Sequence, residues 1–310
     1  MSRTRTAFLF FVSVAMLSWA GFAVGCASAP AYEASCDIGS LPVEAPIVLV
    51  ADGLPVVEME IGGKKLRLIV DTGADKVSLG IKPSALDGVA VAYTGHYRKS
   101  RDINGKARTE RFFEIPSATI GGLALRDIPG SEELRDFVPA DGIIGNAFLS
   151  AFILLIDYPG SRIKLYPRGA ELPELASGTW SEIRFRRGYA GLTVDCAWSG
   201  GGKGRFCLDT GASGLGVVHT GKLRPSDISR EVEVPAAMGG TLSLATLKDF
   251  SLGGAPVGDL DCVAKDLGSV GPFGPPFAGV VGYGVLKGRR VIFDYSRMIV
   301  FLEAGQSFDR

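Results

Sequence analysis

Histidine is nearly missing from this chain. His96 and His219 are the only two in 310 residues, and neither has a partner at ligand spacing, which argues against a His-rich metal site. An excess of one charge is missing too: Lys plus Arg and Asp plus Glu number 33 each, so nothing in the balance calls for nucleic acid. Beyond the N-terminal segment no long helical pattern appears, and "SEELRDF" (131–137) reads as one or two turns at most. What is present is glycine, 42 residues of it, with 17 prolines and 46% apolar residues. That composition suits many short strands and tight turns around a substantial core. The length allows one large domain or two of ordinary size.

The one long apolar run is N-terminal. Arg3 and Arg5 precede "AFLFFVSVAMLSWAGFAVG" (7–25), so residues 1–25 read as a secretory signal peptide, with an uncleaved membrane anchor as the alternative. "FAVGC" (22–26) resembles the bacterial lipobox, with Ala23 where that pattern usually has Leu. The resemblance implies lipid attachment at Cys26 and a possible lipid anchor to the membrane. Lipoprotein, soluble secreted protein and retained anchor all place the folded part outside the cytoplasm, as an exported cell-envelope protein, periplasmic or membrane-anchored. The remaining cysteines, Cys36, Cys196, Cys207 and Cys262, allow three pairings. Cys196 and Cys207 flank "AWSGGGKGRF"; a hairpin turn centred on Gly201-Gly202 sets them opposite each other, within disulfide range, and two free thiols are the alternative.

The informative stretch is "LIVDTGADKVSL" (68–79), where an aspartate ends an apolar run and a Gly follows two residues later. A given tripeptide occurs by chance in roughly a few per cent of chains this long. One copy therefore says little, but "FCLDTGASGLGVV" (206–218) repeats it. Asp71 and Asp209 are 138 positions apart. "DGIIGNAFL" (141–149) and "AGVVGYGVL" (278–286) align at an offset of 137, as do "LLIDYPGSRIKLY" (154–166) and "RVIFDYSRMIVFL" (290–302). Three blocks whose offsets agree within one residue describe a duplicated unit. Each unit has a strand pair, Asp-Thr-Gly-Ala, a second strand, a middle section, a Gly-flanked apolar block and a closing hairpin. The division that follows is a signal peptide (1–25), a tether (26–45), an N-terminal lobe (46–167), a linker (168–180) and a C-terminal lobe (181–304).

The paired Asp-Thr-Gly-Ala motifs, each followed by Gly-Ile-Ile-Gly or Gly-Val-Val-Gly, resemble aspartic proteases of the pepsin and retropepsin class. "DTGAD" is closest to the retroviral form, and two units in one chain are similar to bacterial envelope members. The resemblance covers roughly residues 46–304. It implies an all-β, bilobal pepsin-like (acid protease) fold, with two retropepsin-like β-barrel lobes related by a pseudo-two-fold axis. It also implies a monomer that is an intramolecular pseudo-dimer, acting on a peptide or protein substrate and not on nucleic acid, without cofactor or metal. Asp71 and Asp209 would be the catalytic pair.

Elementary chemistry supports the same pair. Gly73 and Gly211 permit a tight turn that presents the preceding carboxylate at a strand end. Thr72 and Thr210 have hydroxyls able to bond the opposite loop. Two carboxylates about 3 Å apart share a proton, so one serves as base toward water and the other as acid toward a carbonyl. Asp157 and Asp294 also repeat, but each reads as a structural turn residue. Flaps are expected around Asn104-Gly105 in the first unit, a strong hairpin signal, and around Gly239-Gly240 in the second, the two differing in length. Phe273 and Phe277, on a Pro-rich loop, are either pocket residues or ordinary packing. The function expected is an aspartic endopeptidase of the cell envelope; the alternative is a non-catalytic peptide-binding envelope module of the same fold.

Cys26→Ser is expected to release the protein from membranes in a fractionation assay. An unchanged membrane fraction, or a mature N-terminus beyond residue 26, counts against lipid attachment.

Overall fold

Along the strand Lys64–Asp71, Leu66, Leu68 and Val70 point into one core while Lys65 and Arg67 face water; from Leu68 onward every residue is buried. The strand thus starts half-solvated and ends with both faces covered, the pattern of a chain diving into the middle of a packed body. The computed structural model describes residues 35–36, 38–101, 107–133, 139–188, 191–233, 241–267 and 277–305. Among these, α-helix is confined to two four-residue turns, Asn146–Leu149 and Tyr283–Leu286. The all-β, bilobal fold expected from the sequence is the one found.

Both lobes are woven alike. In the first, Leu54–Ile61 pairs antiparallel with Lys64–Asp71, and the block Gly142–Gly145 lies parallel to the end of that strand and antiparallel to Leu79–Ile81. In the second, Gly191–Trp198 pairs with Gly202–Leu208, and Phe277–Val281 lies parallel to it and antiparallel to Gly216–His219. The Gly-flanked blocks therefore sit between the two strands that bracket each Asp-Thr-Gly-Ala loop. Their glycines are needed for close approach. A Cβ on Gly142 would lie 3.0 Å from the Ile81 Cα, and one on Gly145 would lie 2.6 Å from the Ala74 carbonyl oxygen.

The closing hairpins join the lobes. Ile153–Asp157 pairs antiparallel with Arg290–Asp294, so each half's hairpin extends the other's. Leu155 pairs with Ile292, its own counterpart 137 positions on, while Ile153 pairs with Asp294 and Asp157 with Arg290. The pairing maps onto itself under the repeat, which puts the pseudo-two-fold axis through Leu155 and Ile292. This junction makes the first lobe and both hairpins one 14-stranded sheet; the rest of the second lobe is an eight-stranded sheet. One core cluster, from Val57 and Leu68 through Phe148 and Phe206 to Phe293, runs across both.

Several local expectations differ from the structure. The first long strand is Val43–Val50, which begins inside the segment read as tether, and Ser35–Cys36 already pairs with Leu125 and Arg126. Ser131 and Glu132 end the strand Leu123–Glu132 rather than starting a helical turn, because they pair in parallel with Gly80 and Ile81; residues 134–137 of that motif are outside the described ones. Cys196 and Cys207 are not opposite each other. The turn is centred near Gly200, which takes a positive φ of 78°, so Cys196 faces Gly204 and Cys207 faces Thr193. The three-residue offset puts the two sulfurs on opposite faces of the hairpin, in different core clusters. Cys196, Cys207 and Cys262 are free thiols. The tips Asn104-Gly105 and Gly239-Gly240, and Cys26 and Phe273, lie outside the described residues. The flanking strands pair up to Arg101–Ala107 and Glu233–Thr241. Phe277 opens the strand Phe277–Val281 and is buried.

The repeated Asp-Tyr turns are tied locally. Asp157 accepts from the Gly160 amide at 2.8 Å and from Arg162 at 3.0 Å, and Asp294 accepts from the Ser296 hydroxyl at 2.6 Å and from Arg297 at 2.5 Å. Burial pushes the Asp294 pKa up, but the Ser296 hydroxyl and Arg297 outweigh it, so the carboxyl lies below its ordinary value. Arg290 holds Glu303 low as well.

Phe293, fully buried, should cost about 3–5 kcal/mol in urea denaturation when replaced by Ala. Reducing agent should leave the melting temperature unchanged, since Cys196, Cys207 and Cys262, buried in the core, are not bridged. Because the folded pKa values of Asp294 and Glu303 are depressed, their stabilisation is full above the ordinary carboxylate range and is lost as pH falls through the folded values. Stability should therefore decline between about pH 5 and pH 1, and Arg297→Ala should flatten that decline in a pH series of melts.

Candidate active site

Each Asp-Thr-Gly-Ala loop is built by a strand that ends on its aspartate. Asp71 pairs with Gly145 at the close of Lys64–Asp71, and Leu208 pairs with Val281 one residue before Asp209. The chain then turns back on itself: the Gly73 and Ala74 amides donate to Asp71 Oδ1 at 2.9 and 3.0 Å, and the Gly211 amide donates to Asp209 Oδ1 at 2.7 Å. The carboxylates thus organise their own turns before doing anything else.

The two loops meet. The Thr72 amide donates to Thr210 Oγ1 at 3.0 Å, and the Thr210 amide donates to Thr72 Oγ1 at 3.0 Å. Each hydroxyl then donates across the axis to the backbone before the opposite aspartate, Thr72 Oγ1 to the Leu208 carbonyl at 2.8 Å and Thr210 Oγ1 to the Val70 carbonyl at 2.6 Å. Both threonines are fully buried. The glycines carry the contact further. A Cβ on Gly73 would stand 2.5 Å from Asp209 Oδ2, and one on Gly211 would stand 2.6 Å from the Asp71 Cγ. Each glycine therefore lies against the other lobe's carboxylate, and only the missing side chain leaves room for it. Asp71 is 5% exposed and Asp209 is fully buried. Of the residues singled out from sequence, Asp71, Thr72, Gly73, Asp209, Thr210 and Gly211 come together here.

Other residues complete the setting without having been singled out. Arg187 reaches across from the second lobe to Asp75 at 3.1 Å and lies over the Tyr295 ring. The Gly214 amide, just past the second loop, donates to the Asp52 carbonyl at 3.2 Å, so a hairpin turn of the first lobe buttresses the second lobe's loop. Behind the first loop, Asn146 donates to the Thr72 carbonyl at 2.5 Å and accepts from the Tyr295 hydroxyl at 2.6 Å. Behind the second, Tyr158 packs on Tyr283, ring centroids 5.6 Å apart, and burial drives the Tyr158 hydroxyl well above its ordinary pKa. The signal for both tyrosines was in the sequence: Tyr158 and Tyr295 are 137 positions apart, each following the repeated turn aspartate. Burial, and then the charges of Asp209, Asp71 and Asp75, raises the Cys207 thiol pKa, so it stays protonated.

The hairpins beyond the loops differ in chemistry. In the first lobe buried Glu110, on a strand leading to 102–106, is ion-paired to Arg98, and buried Glu132, at the end of the neighbouring strand Leu123–Glu132, is ion-paired to Arg111, whose guanidinium lies 4.4 Å from the centre of the Tyr93 ring. In the second, Leu242, Leu244 and Val263 cluster with Leu215 and Val232, beside a cavity of about 340 Å³ that reaches Leu215, Arg230 and Asp261. Among the described residues no cluster of His, Cys, Asp and Glu has the form of a metal site.

Thr210→Val keeps the shape but strands the Thr72 amide and the Val70 carbonyl. It should cost about 2–4 kcal/mol in chemical denaturation. Gly73→Ala forces a methyl against Asp209 and should lower stability at least as much; a variant as stable as the parent would contradict the described contact.

Comparisons with known proteins place this geometry. Residues 57–148, which hold the first loop and its Gly-flanked block, match the family model described as Aspartyl protease. No curated protein matches the chain. The crystal structure of aspartic proteinase from Irpex lacteus superposes with a TM-score of 0.55 at 12% identity, covering 86% of this chain and 98% of that one. That likeness is one of fold. The family match over the first lobe and the shared fold over both support an aspartic protease of the retropepsin and pepsin type.

Proposed function

We propose that this protein is an aspartic endopeptidase of the cell envelope, with Asp71 and Asp209 as its catalytic pair. The observation that carries the reading is the crossed packing of the loops, Gly73 against Asp209 and Gly211 against Asp71, which brings two buried carboxylates to one place. Two such groups cannot both ionise at close range, so the pair holds one proton between them. The ionised member takes a proton from a water molecule. The resulting hydroxide attacks the scissile carbonyl carbon, and the protonated member gives its proton to the carbonyl oxygen. Collapse of the tetrahedral intermediate breaks the C–N bond: the newly protonated aspartate gives its proton to the departing amine, and the other aspartate takes the proton of a diol hydroxyl as the new carboxyl group forms, so the pair again holds one proton. The backbone amides of Gly73, Ala74 and Gly211 hold the carboxylates in place throughout, so little reorganisation is needed at the moment of reaction. The envelope location rests on the signal-like segment 1–25 and on Cys26.

A peptide-library digestion tests this, with the parent protein beside Asp71→Asn and Asp209→Asn. The parent should cleave with a bell-shaped pH dependence on the acid side of neutral, and each variant should lose turnover while staying folded. Cleavage that survives both substitutions, or that a chelator abolishes, would place the chemistry elsewhere. A folded parent that cleaves nothing between about pH 3 and pH 8 would leave a peptide-binding module.

A further inference from the structure

The two halves repeat in sequence and weave, but the groups behind their loops do not repeat in kind. Asn146 and Tyr283 are counterparts. The Asn146 amide donates to the Ala74 carbonyl at 2.9 Å, and the Tyr283 amide donates to the Ala212 carbonyl at 3.0 Å, in the same place behind each loop. Tyr295 and Tyr158 are counterparts as well, each coming from one half's closing turn to the back of the other half's loop. In the first half this pair is a hydrogen-bonded amide and phenol; in the second it is two phenol rings packed at a tilt of 59°.

The first arrangement makes a continuous chain. The Tyr295 hydroxyl donates to Asn146 Oδ1 at 2.6 Å, and Asn146 Nδ2 donates to the Thr72 carbonyl at 2.5 Å. That carbonyl and the Gly73 amide are the two ends of one peptide group, and the Gly73 amide donates to Asp71 Oδ1 at 2.9 Å. Asn146 and Thr72 are fully buried and Tyr295 nearly so. A peptide whose oxygen accepts a strong hydrogen bond in a dry setting becomes a better donor at its nitrogen. Every bond in the chain thus favours negative charge at Asp71. The second half cannot close the same chain. A phenol ring stands where the amide stands, and Tyr158 Oη has no hydrogen-bond partner among the described residues.

We propose that Tyr295 and Asn146 are positioning residues for Asp71, a relay by which the C-terminal lobe fixes the first loop and favours the ionised form of its carboxylate. The proposal deepens the peptidase reading and rests on it for its kinetic consequence. The charged and titratable groups around Asp71 are Asp209 across the axis, Asp75 with its partner Arg187, Cys207 and Tyr295 itself. Tyr295→Phe keeps all but the last and keeps the ring under Arg187, so it removes the far end of the chain and little else.

The test is the pH dependence of the pair in Tyr295→Phe, measured as kcat/KM and, independently of turnover, as the ¹³C shift of the labelled aspartate carboxyls, with Asp71→Asn assigning the resonance. The lower midpoint should rise by about half a pH unit and KM should stay near the parent value. Tyr158→Phe, the same deletion in the second half, should leave that midpoint in place. A melting temperature lowered by Tyr295→Phe with the midpoint unmoved in both measurements overturns the relay, as does an equal shift in Tyr158→Phe. If the parent cleaves no peptide but the carboxyl shift still moves in Tyr295→Phe alone, the peptidase reading falls and the relay stands. Should Tyr295→Phe fail to fold, Asn146→Ser, too short to span from Tyr295 to the Thr72 carbonyl, takes its place in the carboxyl titration: a raised midpoint supports the relay and an unmoved one overturns it.

Discussion

The structure depends on four hydrogen bonds that neither lobe can make alone. Thr72 and Thr210 exchange amide-to-hydroxyl bonds and then donate to the strands beneath the opposite aspartates, with no exposure to water. Broken apart, each loop would have a buried amide, a hydroxyl and a carbonyl without partners, at about 1–3 kcal/mol for each such group. The lobes are therefore not two domains that happen to touch. Each is incomplete until the other supplies its donors and acceptors.

From that constraint the rest follows. With the threonines crossed, the residue after each must pass beside the opposing carboxylate, and only Gly fits. With the loops fixed, the Gly-flanked blocks must slide under them, again at distances a Cβ would close. Symmetry is enforced only this far. Farther out, the first lobe places ion pairs and the second an apolar cluster on and beside the strands that flank residues 102–106 and 234–240. The grip is common to both halves because its geometry admits one solution, whereas the surroundings admit many and have diverged.

The fold was legible in the sequence because its signals were of the strongest kind: alternating strands, and three blocks whose offsets agree within one residue. The meeting of Asp71 and Asp209 was readable for the same reason, since a repeated Asp-Thr-Gly has few bland explanations. Other features were not legible, for physical reasons. The register of the Cys196–Cys207 hairpin was hidden because one extra residue in a Gly-rich turn changes which face every later side chain takes, and "SGGG" does not say where the turn is centred. Tyr158 and Tyr295 did not stand out because their neighbours Asp157 and Asp294 explained the repeat by themselves. Asn146 has no repeat partner in kind, so duplication, the very signal that exposed the loops, hid it.

The pairing of Ile153–Asp157 with Arg290–Asp294 sets an order of events during synthesis. Asp71 leaves the ribosome more than two hundred residues before Tyr295, and the strand that bears Ile292 emerges after the whole of the first lobe. Contacts this distant in sequence form late, after the local hairpins of each half. A chain still being made thus has one aspartate loop in place and nothing to hold it against. Under the proposed peptidase reading, a nascent chain is inert toward its neighbours until that hairpin has docked.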